Sequence, residues 1–142
     1  MRIHKNLIWL KSYILDAKHI IPRVRDIKLV KELFHQKGKI QRVEGSLTYD
    51  FLFGKYTLSL YGSYKKVVRI DPNLEMVIRP YSKIDILNTL AHELAHLKHW
   101  DHTPEHKLLE SELTILFMER LLKSGYISEE EEQTKWAAKY SK

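Results

Sequence analysis

The stretch Ser82-Lys83-Ile84-Asp85-Ile86-Leu87-Asn88-Thr89-Leu90-Ala91-His92-Glu93-Leu94-Ala95-His96-Leu97-Lys98-His99-Trp100-Asp101-His102-Thr103-Pro104-Glu105 governs how the chain is read. Ser82 with Asp85 three residues on is a capping-box arrangement, and the helix it opens is expected to run from Lys83 to about Trp100. Ile84, Leu87, Leu90, Ala91, Leu94 and Ala95 recur at helical spacing and make most of its buried side. His92 and His96 stand four residues apart within an HExxH pattern, so both imidazoles lie on one helix face and can reach one metal ion. Glu93 is displaced around the helix, where its carboxylate can meet a water held by that metal rather than the metal itself. Zinc lowers the pKa of such a water to about 7, and the carboxylate can take its proton as the water attacks a carbonyl.

The alternative is a solvated His/Glu/His set on an exposed helix face. Leu90, Ala91, Leu94 and Ala95 interleave with the motif and argue against it, because polar groups on a largely buried helix need partners. Eight histidines occur in the chain, and five of them, His92, His96, His99, His102 and His106, fall between residues 92 and 106. His102 follows just past the expected helix end, where the chain can turn back to supply a third ligand. Glu110 and Glu112, on the helix that follows, are rival third ligands. His99 reads as an exposed helix-end residue, with a supporting role at the site as its alternative. His106 reads as a structural residue on the first turn of the next helix. The isolated His4, His19 and His35 read as surface residues.

Outward from this region the punctuation is clear. Thr103-Pro104-Glu105 is a hydroxyl cap followed by proline at the first helical position, opening a helix expected to reach Lys123 and stop at Gly125. Ser128 and Glu131 form a second capping box for a last helix over roughly Glu129 to Tyr140. Its Glu129-Glu130-Glu131-Glu132 run suits the positive end of a helix dipole rather than a metal site. On the N-terminal side, Leu7, Leu10, Ile14, Leu15 and Lys18 follow helical spacing until Pro22. A short second helix is expected from Ile27 to His35, ending near Gly38. From Lys39 to Ile70, short β-prone runs are broken at Gly45, Gly54 and Gly62. Tyr56-Thr57-Leu58-Ser59-Leu60 alternates, which predicts a strand with one polar face. Three or four strands are expected, mostly antiparallel because their connections are short.

At 142 residues the chain has the length of one domain, residues 1–142. Hydrophobic residues at 44% and charged residues at 30% exclude wholesale disorder. No apolar run approaches the roughly 20 residues that span a bilayer, so no membrane partner is expected. Cysteine is absent, which excludes disulfides, thiol nucleophiles and thiolate metal ligands and makes a cytoplasmic location the expectation. The net charge of +6 is unevenly spread. Residues 1–70 carry 15 Lys/Arg against 5 Asp/Glu, and residues 71–142 carry 9 against 13. The basic first half is either a solvated surface or a face for nucleic acid.

The HExxHx5H spacing matches the metzincin arrangement, but His99 stands where those enzymes have glycine. Tyr61-Gly62-Ser63, Arg69-Ile70, Asn73-Leu74, Pro80, His92-Glu93-Leu94-Ala95-His96-Leu97-Lys98-His99 and His102-Thr103-Pro104 together resemble the YgjP-like metallopeptidases. The His102-Thr103-Pro104-Glu105 segment is also similar to the His-Gly-Pro-Glu of SprT-like proteases. The resemblance covers about residues 56–110, and His106 departs from the Phe or Trp usual there. It implies an α+β, zincin-like fold with N-terminal helices, a small sheet, the HExxH helix and C-terminal helices. It further implies that His92, His96 and His102 bind zinc and that Glu93 is the general base of a peptidase acting on a protein or peptide substrate. SprT-like relatives act on DNA-associated proteins, a setting the basic first half would suit. Two other readings are an ImmA/IrrE-like regulatory protease with a glutamate third ligand, and a non-catalytic zinc- or nucleic-acid-binding module.

Overall fold

The computed structural model describes residues 2–22, 24, 27–32, 45–50, 55–61, 63–126 and 128. The chain enters as a two-residue strand β1 (Arg2–Ile3), then a 3-10 helix (Lys5–Leu10) that runs directly into α1 (Lys11–Ala17). Leu7, Leu10 and Ile14 bury as their spacing requires, whereas Leu15 is 44% exposed, one residue around the helix from Ile14. The helical segment serves as the crossover that a parallel strand pair needs. It connects β1 to β2 (Ile27–Glu32), with Arg2 opposite Lys28 and Ile3 opposite Leu29.

β2 corrects the expectation of a helix from Ile27 to His35. Two helical turns are marginal on propensity alone, and Ile27 and Val30 are β-branched. A place between two strands decides the matter: β2 pairs in parallel with β1 on one side and with β4 (Lys55–Tyr61) on the other. β3 (Gly45–Asp50) completes a four-stranded sheet of order β1-β2-β4-β3, pairing antiparallel with β4. A separate antiparallel hairpin is formed by β5 (Ser63–Ile70) and β6 (Asn73–Pro80). The short-connection argument for antiparallel pairing therefore holds for the two pairs adjacent in sequence. It misses β2, whose partners lie across a crossover and across β3.

Two helices follow. α2 (Lys83–Ala95) starts where Ser82 Oγ accepts a hydrogen bond from the Asp85 N–H at 3.1 Å. It ends a turn earlier than its apolar pattern implies, because the backbone tightens at His96. α3 (Pro104–Lys123) starts with Thr103 Oγ1 accepting from the His106 N–H at 3.2 Å. At its far end Gly125 adopts φ +91°, a left-handed conformation that glycine takes without steric cost. That turn brings the Tyr126 N–H back to the Leu121 carbonyl at 3.4 Å. The expected helix over Glu129 to Tyr140 lies outside the described residues.

The core forms where these elements meet. Leu10 and Ile14, then Leu58 and Leu60 of β4, then Leu87, Leu90 and Leu94 of α2, then Leu113, Phe117 and Leu121 of α3 make one buried cluster. Burial of each such side chain stabilises the fold by about 1.5–3 kcal/mol. Leu58 and Leu60 point inward while Thr57 and Ser59 stay half-buried, which is the alternation read from the sequence. α1 and α3 are joined by Asp16 and Arg120: the guanidinium donates through Nε and, at 2.8 Å, through Nη2. That pair lines a cavity of about 440 Å³ with Trp9, Tyr13 and Lys83, apart from the histidines. No described helix is long and apolar enough to cross a membrane.

Candidate metal centre

The histidine cluster is built on the last turn of α2, the loop after it and the first turns of α3. His92 and His96 project from one face of α2, and the Nε2 atoms of the two rings stand 3.3 Å apart. The tightened turn and the loop to Thr103 return the chain, so His102 Nε2 comes to 3.2 Å from His92 Nε2. Tetrahedral ligation at the usual zinc–nitrogen length separates ligand nitrogens by about 3.3 Å. His92 and His96 are half-buried and His102 is exposed, which leaves the site open on one side.

The opposite ring nitrogens are held. His92 Nδ1–H donates to Glu110 Oε1 of α3 at 3.0 Å, and His96 Nδ1–H donates to the main-chain carbonyl of His99 at 3.2 Å. The carbonyl and the carboxylate oxygen accept, so a singly protonated ring at either position carries its proton on Nδ1 and its lone pair on Nε2. Lone pairs aimed at one another at this distance repel. A cation between them removes the conflict, and the donor set fits a divalent ion that takes imidazole nitrogen.

His106 lies beneath this pair and is fully buried. One of its ring nitrogens is within 4.8 Å of ligand atoms of His92 and His96, so these three residues also form a group able to hold a metal ion. Its Nε2–H, however, donates to the main-chain carbonyl of His92 at 3.1 Å, and its Nδ1 has no hydrogen-bond partner. Leaving such an acceptor unsatisfied costs about 1–3 kcal/mol. Burial holds the His106 imidazole below its ordinary pKa, hence neutral, with the bond to the His92 carbonyl working the other way. Among the described residues the group whose ligand atoms all lie within 4.8 Å of one another is His92, His96 and His106, and His102 approaches His92 Nε2 at 3.2 Å from the exposed side.

Glu93 is half-buried beside the cluster. Burial raises its carboxyl pKa above the ordinary glutamate value, and the imidazoles of His92, His96 and His102 pull the other way. The structure thus brings His92, Glu93, His96 and His102 together. It places Glu110 at the far nitrogen of His92 and leaves Glu112 exposed on α3. His99 contributes its carbonyl. An aromatic row leads away from the centre: Trp100 stacks at a tilt 6.3 Å from His96 and 6.3 Å from Tyr56, and Tyr56 lies 4.8 Å from Tyr49.

Sequence reasoning missed what Glu110 does, whereas His106 stands as a buried structural residue on the first turn of α3, as read. For His106 a signal existed: residues 106, 109, 113, 117 and 121 share one helical face, so this histidine was legible as a core position. For Glu110 none existed, since its bond spans 18 residues and two helices. Comparison with known proteins returns no match: no family model, no curated protein and no solved structure corresponds to this chain.

Proposed function

We propose that the chain is a zinc-dependent metallopeptidase of zincin-like architecture, with His92, His96 and His102 as ligands and Glu93 as general base. The observation that carries the reading is the approach of the His96 and His102 Nε2 atoms to His92 Nε2, at 3.3 and 3.2 Å, with Glu93 next in sequence to His92. Resemblance of the motif helix and loop to YgjP-like and SprT-like enzymes supports it. Zinc bound there supplies a Lewis acid for a peptide carbonyl and lowers the pKa of a water to about 7.

The protein's own groups do the rest. Glu93, its basicity raised by burial, accepts a proton from the attacking water and hands it to the amine that leaves as the C–N bond breaks. His99 and Glu110 fix the ring orientations of His96 and His92. Glu110 occupies the Nδ1 side of His92, which favours His102 over a carboxylate as third ligand. A substrate strand would add at β3, the edge nearest the aromatic row among the described strands, because β4 is internal to the sheet. Tyr49, Tyr56 and Trp100 then line the path of its side chains.

Elemental analysis of the purified protein, with digestion of an unfolded polypeptide, tests the reading. About one zinc per chain is expected in the wild type and in Glu93→Gln, with cleavage lost only in the variant. Cleavage retained by Glu93→Gln, or a wild type that takes up no zinc, overturns the mechanism. The basic first half would suit a substrate protein held on nucleic acid. Affinity for duplex DNA that falls steeply with added salt supports that setting, and its absence removes it.

A further inference from the structure

We propose that His106 is a positioning residue of the metal centre: its ring caps a main-chain carbonyl freed at His92, and with Glu110 it holds His92 by both backbone and ring. The inference rests on the metal-binding part of the reading above and not on peptide cleavage.

The end of α2 supplies the reason. The His96 N–H donates to the Glu93 carbonyl at 3.2 Å, three residues back, rather than to His92 four residues back. Leu97 and Lys98 follow the same tight pattern, bonding to Leu94 and Ala95 at 3.0 and 3.2 Å. The tightening turns the chain off the helix axis between His96 and His102. It also leaves the His92 carbonyl without a helical donor, and terminal carbonyls of that kind need one from elsewhere. His106 Nε2–H provides it at 3.1 Å. One turn further along α3, Glu110 accepts from the ring of the same residue at 3.0 Å. Two side chains at i and i+4 on one helix thus grip opposite ends of His92.

The cost to the core supports a purpose for this histidine. His106 shares its helix face with Leu109, Leu113, Phe117 and Leu121, where an apolar side chain would bring no polar atom of its own into the core. Instead a buried Nδ1 goes unsatisfied so that Nε2–H can reach one carbonyl. The ring also backs the second motif histidine, its centroid 4.1 Å from that of His96 at an interplanar angle of 31°.

The test is zinc affinity, measured by competition with a chromophoric chelator on the full chain. His106→Phe keeps a ring and removes the donor; Glu110→Ala removes the acceptor. Each is expected to weaken zinc binding about 10- to 100-fold, and Glu110→Gln, which keeps an acceptor, to recover most of the loss. Because both contacts act on His92, the double variant should lose less than the product of the single losses. The visible spectrum of bound Co2+ should shift in His106→Phe. Nitrogen-15 shifts of the wild-type histidines need no substitution, and Nε2–H on His106 with Nδ1–H on His92 is expected. A folded His106→Phe with wild-type affinity and Co2+ spectrum, or a His106 protonated at Nδ1, overturns the proposal and leaves metal binding intact. A wild type that binds no zinc overturns both.

Discussion

Glu110 and His92 face each other across the packing of α3 on α2, the carboxylate accepting from the ring Nδ1–H at 3.0 Å. This one bond sets which nitrogen of His92 is turned toward His96 and His102. It also uses Glu110 as a ring holder, although the sequence allowed it as a ligand. A carboxylate at that point fixes the orientation of the imidazole it holds.

The third ligand can therefore be tested by subtraction. His102→Ala should reduce bound zinc from about one per chain to a small fraction, since two imidazoles alone make a weak site. Glu112→Ala should leave it unchanged. Thermal unfolding provides a second readout: an ion that binds only the folded chain raises the midpoint, and a chelator should lower it in the wild type but not in His102→Ala. Zinc retained by His102→Ala would point to His106, whose ring nitrogen also lies within 4.8 Å of the pair.

Legibility in the sequence followed the range of the forces. Ser82, Thr103, Pro104 and Gly125 act on neighbours within four residues, and each helix boundary they mark is found where it was read, apart from the exit of α2. The HExxH face is equally local, because a helix brings His92 and His96 together whatever surrounds it. Ile27–Glu32 departs from its helical pattern because its conformation is set by strands at positions 2–3 and 55–61, and no local pattern encodes that pairing. The α2 exit departs from its pattern for a related reason. Leu97 continues the apolar pattern and is buried, but the carbonyl of His92 is taken by a side chain from the next helix.

Asp16 and Arg120 give a stability signal separate from the centre. The hydrogen bond from Arg120 holds the Asp16 carboxyl below its ordinary pKa, so its folded value is depressed relative to the unfolded chain. Such a group contributes its stability above the unfolded aspartate value of about 3.9 and loses it as pH falls through the folded one. Asp16→Asn should accordingly lower the unfolding midpoint at pH 7. The difference from wild type should shrink steadily below about pH 4. Equal destabilisation at pH 7 and pH 3 would assign the effect to packing rather than charge.

Phe117 tests the core. It is fully buried and meets Tyr13 edge-on, with ring centroids 5.9 Å apart at 82°. Phe117→Ala removes that contact and leaves a cavity between α1 and α3, for a loss of about 3–5 kcal/mol by denaturant unfolding. Leu108, on the same helix but 73% exposed, should cost no more than about 0.5 kcal/mol when changed to alanine. Comparable losses at the two positions would contradict the placement of α3.

Under the peptidase activity proposed above, Trp100 separates substrate binding from metal binding. It is 54% exposed beyond the last turn of α2, and its ring lies between His96 and Tyr56 at 6.3 Å from each. A large apolar surface left open beside the centre is suited to a substrate side chain, and stacking or burial against it strengthens binding without touching the reacting atoms. Trp100→Ala should keep zinc near one per chain and raise KM about 10-fold, with a smaller change in kcat, on peptides that carry an aromatic residue near the cleaved bond. Peptides with alanine there should be cleaved by both proteins with similar efficiency. A fall in kcat for both peptides, with KM unchanged, would instead tie Trp100 to the orientation of His96.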